Sequence, residues 1–139
     1  MMMQSPIDAY RKVAVDNTVE TASNHKLVLM LFDAARLAVT GAIAHMANKN
    51  VEAKGLAVSR AISIIGEGLQ ASLDVEAGGE IAEQLYSLYD YMVRRLLEAN
   101  RTNSSEMLTE VGNLLKELHD AWAEIGNDPA VLRANATQG

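Results

Sequence analysis

The chain contains no cysteine, which excludes disulfides and thiolate metal sites and suits a reducing cytoplasm. Its two prolines, Pro6 and Pro129, bracket a 139-residue sequence, so nothing between them has to kink or stop a helix for want of an N–H. Aromatic residues are scarce at 4% against 49% hydrophobic residues in total. Leu, Ala, Ile, Val and Met therefore carry the apolar load, a balance that favours helices packed on helices over a sheet. Excess positive charge is also lacking: the net charge is −6 and the pI about 5.0, which leaves no basic footprint for nucleic acid or an anionic membrane. The start, MMMQSPIDAYRK, lacks the basic and then apolar pattern of a signal peptide. The unbroken apolar runs fall short of a membrane span. The expectation is one soluble, acidic, cytoplasmic domain with a sizeable core.

What is present is helical periodicity. Residues 1–22 read as an N-terminal arm or short helix, with Ser5 and Pro6 as a cap and first-turn pair. Ser23 is a candidate cap for a first long helix running from Leu27 to about Lys49. That helix holds LVLMLF and two adjoining seams, Leu27, Leu31, Ala34, Ala38 and Val28, Phe32, Ala35, Val39. After a break at 48–50 a second helix spans about Val51 to Leu73, with Val58, Ile62, Ile65 and Leu69 at bundle-seam spacing. Gly66 and Gly68 inside it each cost about 1 kcal/mol relative to Ala and point to a close backbone approach. The double glycine Gly78-Gly79 marks the hinge into a third helix, about Gly79 to Asn100. A fourth, about Glu106 to Ile125, has Ser104 or Ser105 as cap and the seam Met107, Val111, Leu114, Leu118, Trp122 and Ile125. Residues 127–139 read as a mobile polar tail. The fold class expected is all-α: an antiparallel up-down four-helix bundle over residues 23–126 with a short N-terminal helix or arm.

Chemistry is hard to find in this pattern. Carboxylate-bridged di-metal bundles need Glu-x-x-His on two helices, and the residues three before His25, His45 and His119 are Ala22, Ala42 and Lys116. There is no glycine-rich phosphate loop after a strand. No catalytic, cofactor-binding or metal-ligating residue is assigned. A phosphotransfer histidine needs a solvent-facing imidazole midway along a helix; His45 is the one candidate to be argued into that role, and a phosphotransfer or regulatory bundle stands as the alternative function.

The third helix has more apolar face than a bundle needs. At 100° per residue the positions Leu88, Ile81, Met92, Leu85, Leu96, Tyr89, Ala82, Val93, Tyr86 and Leu97 fill roughly half its circumference, where a stripe little wider than 100° would suffice. Tyr91 stands apart, among polar residues. Three destinations stay open for the surplus: cover by the N-terminal arm, pairing in a homodimer, or a groove for a helical client.

The strings AYRKVAVDN at 9–17, KLVLMLFDAA at 26–35, KGLAVSRAISIIGEGLQASLD at 54–74, GGEIAEQLYSLYDYMVRRLLEAN at 78–100 and AW at 121–122 make the chain resemble the flagellar secretion chaperone family, FliS, from about Ala9 to Ile125. Asn24, where the family has proline, and Ala34, where it often has glycine, are the departures, and both concern helix geometry. The resemblance implies a four-helix bundle without catalysis or cofactor. It implies a client, the disordered C-terminal segment of flagellin, held against premature polymerisation and presented to the flagellar export apparatus; flagellar regulatory proteins are further partners to consider. On that basis Ile62, Ile65, Leu69, Ile81, Leu85, Tyr89 and Val93 are candidate client-groove residues, and Tyr10 a candidate lid on the arm.

Overall fold

The computed structural model describes residues 20–126; the arm with Tyr10 and the tail 127–139 lie outside them. Helix α1 spans Glu20–Ala47 and α2 Val51–Ser63; α2 continues directly into a π-helical segment, Ile64–Gln70. Helices α3, Val75–Thr102, and α4, Ser105–Gly126, complete an all-α fold. Side-chain caps set the starts. Asn50 Oδ1 accepts from Ala53 N at 3.1 Å, Asp74 Oδ1 from Ala77 N at 3.0 Å and Ser104 Oγ from Met107 N at 3.2 Å, each worth about 0.5–2 kcal/mol. Helix α3 ends on Asn103 in the left-handed region, φ 54°, whose N–H returns to Ala99 O, a conformation asparagine tolerates better than most.

Each helix packs on its sequence neighbours, and α4 closes the ring against α1. Cross-helix contacts fix antiparallel directions: Lys54 reaches Asn100 O, Gln70 reaches the Tyr86 carbonyl, Tyr91 meets Glu110, and His25 meets Trp122. The core is built from Leu27, Phe32 and Val39 on α1, Val58, Ile65 and Leu69 on the second helical stretch, Met92 and Leu96 on α3, and Leu108, Val111 and Leu115 on α4. Burying each large side chain contributes about 1.5–3 kcal/mol. Lys54 is buried as well, at 4% exposure. Its ammonium donates to Asn100 O and Asn103 Oδ1, placing a positive charge at the negative end of α3.

Several boundaries and faces differ from the sequence expectation. Helix α1 is already formed at Glu20, so Ser23 lies inside it and does not cap it. Ala34 is exposed, and with Met30 and Leu37 forms the outward face of α1. The stretch Asn24–Ala47 is long and apolar enough, by length and composition, to cross a membrane; counting only unbroken apolar runs missed it. In the bundle this helix carries the largest share of the buried residues. Gly66 and Gly68 meet no backbone: nothing approaches the Cβ direction of Gly66, and Gly68 faces the Leu31 side chain at 3.2 Å. On α4 the fully buried residues are Leu108, Val111 and Leu115. Met107, Leu114, Leu118 and Trp122 only pack against the core, and Ile125 is 45% exposed.

The double glycine follows a single turn that Asp74 caps, and the backbone leaves the helical region at Gly79, so the long part of α3 restarts there as expected. Gly79 has φ 57° and ψ −134° and kinks the helix, a conformation that side chains disfavour. Gly78 is needed for another reason: a Cβ there would lie 2.6 Å from Ala82 Cβ. The kinked first turn forms one lip of the groove described next.

Candidate functional site

At the end of the bundle where α1 and α3 begin and the π-helical segment and α4 finish, the four helices leave a groove of about 530 Å³. Val28 and Phe32 of α1, Leu69 and Leu73 after α2, Ile81, Leu85 and Tyr89 of α3, and Leu118, Trp122 and Ile125 of α4 line it, with Ala77 and Gly78 on the kinked turn. Phe32, Leu69, Ala82 and Tyr89 are buried and form its floor, whereas Ile81 at 70% and Ile125 at 45% exposure stand at its mouth. Among the lining residues the only one with a formal charge is Asp74, whose Oδ1 is occupied as the cap of α3. Burial pushes the Tyr89 phenol up to about 12, so this floor residue is neutral throughout the physiological range.

One wall is fastened by a reciprocal pair. The His25 and Trp122 rings stack with centroids 4.8 Å apart and planes 15° from parallel. Trp122 Nε1 donates to His25 O at 2.9 Å, and His25 Nε2 donates to Trp122 O at 2.7 Å. A carbonyl can only accept, so Nε2 carries a proton. The start of α1 and the end of α4 are thereby locked beside the groove.

The sequence candidates separate into three places. Leu69, Ile81, Leu85 and Tyr89 line the groove. Ile62 and Val93 are half-buried and lie level with each other along the α2–α3 seam; Tyr86 and Leu97, 49% and 55% exposed, continue the same strip of α3. Ile65 is fully buried in the core. The α1 and α4 contributions, above all Trp122 and Phe32, were missed as groove residues, since a helix-by-helix reading does not show which ends converge. Tyr91 has a partner after all: its hydroxyl donates to Glu110 Oε2 at 2.6 Å while Arg95 Nε donates to Oε1 at 2.7 Å.

None of the three histidines lines the groove. His25 is held by Trp122, His119 lies 3.2 Å from Asp33 and 3.0 Å from Asp120, and His45 is half-buried in the last turn of α1. Among the described residues no three His, Cys, Asp or Glu side chains assemble a metal site.

The described residues thus form an all-helical bundle with an open apolar groove between its helix ends, a surface of the kind protein-binding modules present. Comparison with known proteins identifies which. A family model described as "Flagellar protein FliS" matches residues 6–129. The chain is 48% identical over 125 residues to the flagellar secretion chaperone FliS of Salmonella typhimurium, covering 90% of this chain and 93% of that protein. It is 41% identical to the Escherichia coli protein of the same name, covering 90% and 92%. It is 35% identical to the flagellar secretion chaperone FliSB of Pseudomonas aeruginosa, covering 91% and 100%. The chain belongs to the FliS family, a family of chaperones and not of enzymes.

Proposed function

We propose that the protein is a cytoplasmic export chaperone that binds the disordered C-terminal segment of flagellin, keeps it from polymerising and delivers it to the flagellar export apparatus. The observation that carries this reading is the apolar groove, with Ile81 left 70% exposed at its mouth, in a chain that belongs to the FliS family. A helical piece of client laid into the groove would cover Ile81, Leu85 and Ile125, surface the bundle alone leaves wet. The strip of Tyr86, Val93 and Leu97 beside Ile62 offers a second apolar contact farther along the bundle. A client that wraps from one to the other folds as it binds, so a large buried area must offset its ordering entropy.

Leu85→Asp tests the reading. Leu85 is half-buried on the groove wall, so aspartate there leaves the buried core intact but places a charge where an apolar side chain would dock. Affinity for a flagellin C-terminal segment should fall tenfold or more, about 1.4 kcal/mol, with the helical circular-dichroism signal retained. Unchanged affinity in a folded variant would remove the groove from the binding surface.

A further inference from the structure

The α3–α4 face changes character along its length. Toward the α3–α4 turn, Glu110 is satisfied by Tyr91 and Arg95. By helical spacing, Gln84 and Glu80 continue the strip of α3 that carries Arg95 and Tyr91, while Glu117 and Glu124 continue the strip of α4 that carries Glu110. By that spacing, exposed Glu80 of α3 and exposed Glu117 and Glu124 of α4 fall at the groove end on the strips that the two helices turn toward each other at Glu110. Glu124 immediately precedes the mouth residue Ile125, and Glu80 precedes Ile81. Among the described residues none of these three carboxylates has a salt-bridge partner. The nearby cations lie elsewhere: Lys116 pairs with Asp120 at 2.7 Å, and Lys26 falls on the side of α1 opposite Val28 and Phe32 by spacing.

An apolar slot whose two lips are both acidic repels a segment flanked by carboxylates and attracts one flanked by ammonium or guanidinium groups. We infer that the groove takes an amphipathic helical segment whose apolar side chains are flanked by lysine or arginine, and that Glu80, Glu117 and Glu124 select it by charge. The inference rests on the groove being the client surface, and adds to it a rule for which segment of a client docks there.

The test uses the full chain and two labelled synthetic peptides with identical Leu and Ile positions at i, i+3, i+4 and i+7, one flanked by Lys and one by Glu. Fluorescence anisotropy should show the Lys-flanked peptide binding about tenfold tighter at low ionic strength, with the gap closing as added salt screens exposed charges. The triple variant E80Q/E117Q/E124Q, isosteric at exposed positions, should erase the gap. Equal binding of both peptides to the unaltered chain overturns the inference, as does a gap that survives in the triple variant. Leu85→Asp separates the two levels: if it weakens both peptides and no charge preference exists, only the charge rule falls. If it weakens neither, the groove itself is not the client surface and both fall. Light scattering that finds a dimer the peptides cannot dissociate would assign the slot to a second copy of the chain and likewise overturn the proposal.

Discussion

Glu110 draws two donors from the facing helix, and this pairing sets the pH range over which α3 and α4 are fastened together. The Tyr91 hydroxyl, and after it the Arg95 guanidinium, hold the Glu110 carboxyl below its ordinary value of 4.5. A carboxyl with a depressed pKa adds stability that is present above its unfolded value and is lost as pH falls through the folded one. The same hydrogen bond, seen from the other side, raises the Tyr91 phenol above its ordinary 10.0, so that contribution is complete below 10.0 and is lost as pH rises through the raised value. Glu110→Gln keeps the shape and removes the charge. The variant should melt below the parent protein at neutral pH, the difference narrowing below about 4.5 and again above about 10. A difference that stayed constant from pH 3 to pH 8 would show that the ionisation of Glu110 contributes nothing to it. All three side chains are partly solvated, at 34–36% exposure for the Arg95–Glu110 pair, so the effect is modest.

At the scale of elements, periodicity placed four helices and their three breaks to within a few residues, because long amphipathic segments bounded by Asn, Asp and Ser caps are strong local signals. It was weaker on which stripe faces inward. On α4 the stripe through Met107, Leu114 and Leu118 and the stripe through Leu108, Val111 and Leu115 are nearly equally apolar, and only the position of α1 makes the second one the core. The apolar surplus of α3 was legible as an amount but not as a place. Met92, Leu96, Tyr89 and Ala82, at the centre of the sector, are buried, and the residues left over at its edges and end are Tyr86, Leu97 and Ile81. The extra turn capped by Asp74 was not legible, but the double glycine read as a break and the backbone does leave the helical region at Gly79. The two glycines make separable demands. Gly79→Ala should lower stability by about 1–3 kcal/mol through its positive φ. Gly78→Ala should do so by a similar amount, through the contact with Ala82. Chemical denaturation of each variant measures this, and a neutral Gly79→Ala would mean that α3 can straighten at no cost. Since Ala77 and Gly78 line the groove, either variant should also weaken client binding beyond what the stability loss explains.

For the whole molecule, the groove is lined by residues that four helices bring to one pole, a property of their mutual placement that no single segment contains. Among the described residues the core runs from Leu27 to Leu115 and draws on all four helices. The chain also enters α1 at Glu20, about two turns before Val28 on the groove wall, so a segment preceding Glu20 is tethered at the groove's own pole. On the proposed reading, so short a tether would let apolar side chains of that segment, Tyr10 and Ile7, compete with a client. Deleting residues 1–15 should therefore leave the helical signal and the cooperative unfolding transition in place, and leave affinity for the flagellin segment equal or higher. Association should also be faster if the arm has to vacate the groove before the client enters. Stopped-flow binding combined with thermal unfolding separates the outcomes. Faster association with an unchanged midpoint makes the arm a lid. Unchanged rates make it a bystander at the groove, and a collapsed midpoint makes it a fifth element of the core, which would sink the lid role of Tyr10.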